Sequence, residues 1–138
     1  MFFNKKKYRE EDDSFLIKIA ALLIHAAKID EKYTNKEEDI IKKTLLELGA
    51  KQVELDTLMI NAKQNEEKAN QILDFTKEVK NLDEKDKIKI IKSLWRIIYS
   101  NKDADIYETN LMRRLSGLLY IDSKVIGDIK EQIKKENL

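Results

Sequence analysis

Cysteine and proline are both absent from this 138-residue chain, and glycine occurs only at Gly49, Gly117 and Gly127. Without cysteine there is no disulfide framework, no thiolate metal site and no cysteine nucleophile. The single histidine, His25, excludes a histidine-rich zinc site within one copy of the chain. An excess of charge is missing as well. With 27 basic and 26 acidic residues the formal net charge is +1, so electrostatics give no reason to expect nucleic acid as a main partner. The longest apolar run, Ile19 to Ile24, is far too short to cross a bilayer. The opening Met1-Phe2-Phe3-Asn4-Lys5-Lys6-Lys7 has no apolar segment or cleavage-like site behind its lysines. A cytoplasmic protein is the expectation. Residues 1–10 read as an N-terminal tail, in which Phe2 and Phe3 ahead of three lysines would give at most a weak peripheral membrane contact.

What is present forms helices. Hydrophobic residues make up 42% of the chain and charged residues 38%, and their regular spacing marks a packed domain rather than disorder. Leu16, Ile19, Ala20, Leu23, Ile24 and Ala27 follow the i, i+3, i+4, i+7 rhythm of one helical face. Ile40, Ile41, Leu45 and Leu48 make a second stripe, which Gly49 closes as a helix stop. Further stripes run through Leu55, Leu58 and Ala62, then Ile72, Phe75 and Val79, then Ile88, Ile91, Leu94, Trp95 and Ile98. The last two comprise Leu111, Leu115, Leu118 and Leu119, and Ile126, Ile129 and Ile133. Strand-like alternation persists nowhere. The pattern predicts an all-α bundle of about seven helices with short links, spanning residues 11–138 as one domain.

The chain also nearly repeats itself. A shift of 71 residues lays 12–62 on 83–133 and matches Ile17, Lys18, Ile19 and Leu23 with Ile88, Lys89, Ile90 and Leu94. Such self-similarity means one supersecondary unit used twice, with the copies packed together.

Asp30 and Glu37 fall on Asn101 and Glu108 under this shift, within a short polar stretch between two helices in each half. Clustered side-chain oxygens of this kind suit a hard cation, Ca²⁺ or Mg²⁺. Asp30, Glu37, Asn101, Asp103, Asp105 and Glu108 are the candidate ligands. A structural role competes. Thr34-x-x-Glu37 and Asp105-x-x-Glu108 have capping-box spacing, which explains both glutamates without a metal. The stretches also lack the alternating ligands and central glycine of an EF-hand.

Elsewhere the bland reading prevails. His25 lies off the apolar face, with no nucleophile placed to use it. Trp95 and Tyr99, one turn apart, read as core packing, whereas Tyr33 and Tyr107 are better placed for surface contacts. Lys42 and Lys43 correspond to Arg113 and Arg114 and read as solvated helix faces. No phosphate-cradling loop, Gly-x-Ser-x-Gly elbow or His-Glu-x-x-His is present, so no enzyme activity is expected.

Ile24-His25-Ala26-Ala27-Lys28-Ile29-Asp30 through Glu37, and Leu94 to Asn101 through Glu108 and on to Leu111-Met112-Arg113-Arg114-Leu115, resemble the tellurite-resistance TerB-like family. Its loop has Ala-Asp-Gly before the glutamate. Here Glu31 and Lys102 replace the glycine, and Asn101 replaces the second aspartate. The resemblance implies an all-helical domain of two similar halves, linked to tellurite and other stress responses, with acidic residues proposed to bind metal ions. It also implies a module that binds a protein partner rather than a catalyst.

Overall fold

In a computed structural model, the backbone is described for residues 2–28, 33–68, 73–100 and 106–136. Side chains are described for residues 14–28, 33–68, 75–77, 79–100 and 110–136. Ile72, expected in the stripe with Phe75 and Val79, lies outside the described residues. The helices in chain order are α1 (Phe2–Ala27), α2 (Asn35–Glu47), α3 (Leu55–Lys68), α4 (Leu73–Val79), α5 (Glu84–Ser100), α6 (Ile106–Leu118) and α7 (Ser123–Glu136). A 3-10 turn, Gln52–Glu54, leads into α3. There is no strand among the described residues, so the all-α expectation holds. The backbone of residues 2–10, expected as a tail, is helical and continuous with α1. Lysine, arginine and glutamate there are good helix formers, and no proline or glycine interrupts them.

The sequence repeat is a structural repeat. Both α2 and α6 have 13 residues, and the 71-residue shift carries Asn35–Glu47 onto Ile106–Leu118. The same shift carries Gln52, where the 3-10 turn opens, onto Ser123, where α7 opens. Packing repeats too: α1 lies against α3 as α5 lies against α7, and the halves join where α1 and α2 pack on α5.

α1 supplies more than the predicted stripe. Every residue from Ile19 to Ile24 is buried, because α2, α3, α4 and α5 surround this helix. A helix buried all round must be apolar all round, and this stretch is. Ala20, Ala26 and Ala27 let neighbours approach closely, while Ile91, Ile97 and Ile98 occupy the corresponding buried places on α5. Truncating a fully buried leucine such as Leu23 to alanine would cost about 2–5 kcal/mol.

One polar pair interrupts this core. Between α2 and α5, the buried Thr44 and Ser93 hydroxyls bond each other. Thr44 Oγ1 also lies 2.8 Å from the Ile40 carbonyl, and Ser93 Oγ lies 3.0 Å from that of Lys89. Their repeat counterparts, Leu115 and Leu22, are apolar, so this contact exists once.

Both halves end their second helix in the same way. After α2, Gly49 (φ +110°) donates to the Leu46 carbonyl at 3.1 Å and Ala50 to that of Leu45 at 2.9 Å. After α6, Tyr120 (φ +54°) donates to the Gly117 carbonyl at 3.4 Å and Ile121 to that of Ser116 at 3.1 Å. These are Schellman closures around a left-handed residue. Buried Ala50 and Ile121 follow them.

Candidate functional site

The first acidic stretch is built from the start of α2 outward. Thr34 is in extended conformation (φ −100°, ψ 162°) and caps the helix. The Glu37 N–H donates to Thr34 Oγ1 at 3.2 Å, and the Thr34 N–H returns to Glu37 Oε1 at 2.9 Å. The Thr34 hydroxyl lies 3.0 Å from the same Oε1. Glu37 is 0% exposed, so this reciprocal cap is enclosed by the protein. The capping box expected from Thr34-x-x-Glu37 is therefore formed.

Two ion pairs flank the cap. Lys63 of α3 reaches Glu38 at 2.7 Å and stands 5.6 Å above the Tyr33 ring. Lys28, just after α1, reaches Glu66 of α3 at 2.7 Å, and Glu66 is itself buried. Ile24, Lys28, Tyr33, Lys63 and Glu67 line a cavity of about 200 Å³ between these pairs. Tyr33 is not the surface group expected from sequence, because its hydroxyl is buried without a hydrogen-bond partner among the described residues. Burial raises the pKa of that phenol, and the charges of Glu38 and Glu37 raise it further.

Of the six candidate ligands, Glu37 alone has a described side chain. Asp30, Asn101, Asp103 and Asp105 lie outside the described residues, as does the side chain of Glu108. The backbone makes Glu108 the third residue of α6, as Glu37 is of α2. Among the described residues, no group of three or more His, Cys, Asp or Glu side chains is arranged to hold a metal ion.

The remaining candidates fall into place. His25 is half-buried, its ring centroid 6.3 Å from that of Phe75. Trp95 is core, stacked 6.0 Å from Tyr99 and donating its indole N–H to the Ile126 carbonyl at 3.2 Å. Lys42 lies 3.7 Å from Asp56, and Lys43, Arg113 and Arg114 are exposed. Tyr107 lies outside the described side chains. Sequence reasoning missed Lys63, buried Glu66 and the exposed Tyr120. Only Tyr120 had a signal, since the repeat places it on Gly49.

No helix among the described residues is long and apolar enough to cross a membrane. The family model described as "Tellurite resistance protein TerB" matches residues 16–131. No curated protein and no solved structure matches the chain.

Proposed function

Because this chain belongs to the tellurite resistance protein TerB family, we propose that it is a cytoplasmic, non-catalytic helical module of a tellurite or wider stress response. It binds a protein partner through a face that includes the α1–α2 and α5–α6 loops.

The carrying observation is the engagement of Glu37. Its carboxylate is buried and accepts the Thr34 N–H, which makes it part of the loop's frame. The Lys63–Glu38 and Lys28–Glu66 pairs tie the two shoulders of that loop to α3. In sequence Asp30 and Glu31 fall between Lys28 and Glu38, and acidic residues carried between two anchored helices suit recognition of another protein. Both lysines of the neighbouring pocket, Lys28 and Lys63, are paired to carboxylates, so neither is set up as a nucleophile or general base.

Affinity capture of the partner from a native extract, with and without chelator, tests this reading. The wild type should recover one specific protein in both conditions, and charge reversal by Asp30→Lys or Asp103→Lys should lose it. Recovery that chelator abolishes would instead favour a divalent-cation sensor, with Ca²⁺ or Mg²⁺ held by the acidic loops. Unchanged recovery by both variants would place the binding face elsewhere.

A further inference from the structure

At the end of α2 the residues are those that local stability favours, with Leu46 inside the helix and Gly49 in the left-handed position. At the end of α6 the choices are reversed. Gly117 stands inside the helix and Tyr120 takes the left-handed position at φ +54°. Glycine weakens a helix through chain entropy, and a side chain at positive φ crowds its own backbone. Packing within the chain requires neither choice. A Cβ on Gly117 would meet nothing within 4 Å, and Tyr120 is 75% exposed.

Both residues line one groove of about 320 Å³, together with Thr76, Lys77, Lys80 and Leu118. The Lys80 ammonium is 5.8 Å from the centre of the Tyr120 ring. Neither Lys77 nor Lys80 has a carboxylate partner among the described residues. Arg113 and Arg114 are exposed one helical turn before Gly117 and Leu118, which extends the basic edge along α6. The groove is held firmly, because the Lys87 ammonium ties α5 to the Leu119 carbonyl at 2.9 Å.

We propose that this groove binds an acidic segment of a protein partner. The missing side chain at Gly117 lets another main chain approach the helix closely, which a compact ion would not need. Carboxylates on the segment meet Lys77 and Lys80, and the Tyr120 ring offers a flat face, apolar with a polar tip, to the residue between them. Locally unfavourable residues that converge on one surface are the pattern expected of a functional site. Gly117 lies about 16 Å along α6 from its first residue, so this surface is separate from the start of α6, and it is tested independently of the role proposed for the acidic loops.

The test is a titration of the ¹⁵N-labelled full chain with a short alternating Glu–Leu peptide, followed by amide spectra. A Lys–Leu peptide and inorganic phosphate are the controls. The peptide should shift the amides of Lys77, Lys80, Gly117 and Tyr120, and the Lys–Leu peptide should not. Gly117→Leu and Tyr120→Gly should each weaken binding at least about tenfold while melting no lower than the wild type. Absence of shifts at these amides, or unchanged affinity in both variants, would overturn the proposal. So would inorganic phosphate reproducing the shifts, since that would make the groove a simple anion site.

Discussion

Gly49 and Tyr120 hold the same left-handed place, 71 residues apart, at φ +110° and +54°, and α2 and α6 each close beside them with the same pair of backbone hydrogen bonds. The two halves thus share a helix ending although only one has the residue that suits it.

That inequality sets the first prediction. Tyr120→Gly relieves left-handed strain worth about 1–2 kcal/mol and gives back part of it as unfolded-chain entropy, for a net gain of about 0.5–1 kcal/mol. Gly49→Ala meets no clash, since no atom lies within 4 Å of the added Cβ. It should nonetheless lose about 1 kcal/mol from conformation alone. Urea unfolding of both variants checks the opposite signs.

The cap predicts a coupled loss. Thr34→Ala and Glu37→Gln should each lower stability by about 1 kcal/mol. The double variant should lose less than the sum, because the two side chains serve one reciprocal pair of bonds. A double-mutant cycle by chemical denaturation reads the coupling.

Tyr33→Phe should stabilise the protein. The hydroxyl it removes is buried without a partner among the described residues, a situation that costs about 1–3 kcal/mol, and the ring beneath Lys63 is retained. Burial, then Glu38 and Glu37, make the folded phenol hold its proton more tightly than the unfolded one. Its linkage contribution is therefore complete below the ordinary tyrosine pKa of about 10 and is lost as pH rises above it. Stability measured against pH should fall less steeply on the alkaline side in Tyr33→Phe than in the wild type.

The hydroxyl pair in the α2–α5 seam predicts a different coupling. Thr44→Val or Ser93→Ala alone should cost about 0.5–1.5 kcal/mol. Together they should cost less than the sum, since the apolar seam then contains no half-satisfied hydroxyl. Equilibrium unfolding of the three variants decides it.

Much of this molecule was legible because the signals were local. The apolar rhythm of Leu16 to Ala27, the stop at Gly49 and the Thr34-x-x-Glu37 spacing each act within a few residues, and the corresponding helix, closure and cap are formed. Burial of Ile19 to Ile24 on all sides of α1 was less legible, because it depends on four helices that meet only in the fold. The same holds for Lys63 against Glu38 and Thr44 against Ser93, pairs brought together across 25 and 49 residues of chain. Tyr33 read as a surface group because a polar tip beside charged residues is ordinarily solvated. Its hydroxyl is buried instead, in a residue lining the cavity between α1 and α3. Tyr120 escaped notice because left-handed helix endings are read from glycine, and here the ending has none.

The central claim is that Glu37 frames its loop as a helix cap rather than serving as an ion ligand. Thermal unfolding of the full chain in chelator, then in millimolar Ca²⁺, Mg²⁺, Mn²⁺ or Zn²⁺, tests it most directly. An ion present at about 100 times its dissociation constant would stabilise the fold by about 2.7 kcal/mol, a plain shift in a melting curve. The cap account predicts no cation-specific rise, with Glu37→Gln lowering the melting temperature equally in every condition. A rise with one cation that disappears in Glu37→Gln would contradict it and make the acidic loop a metal site.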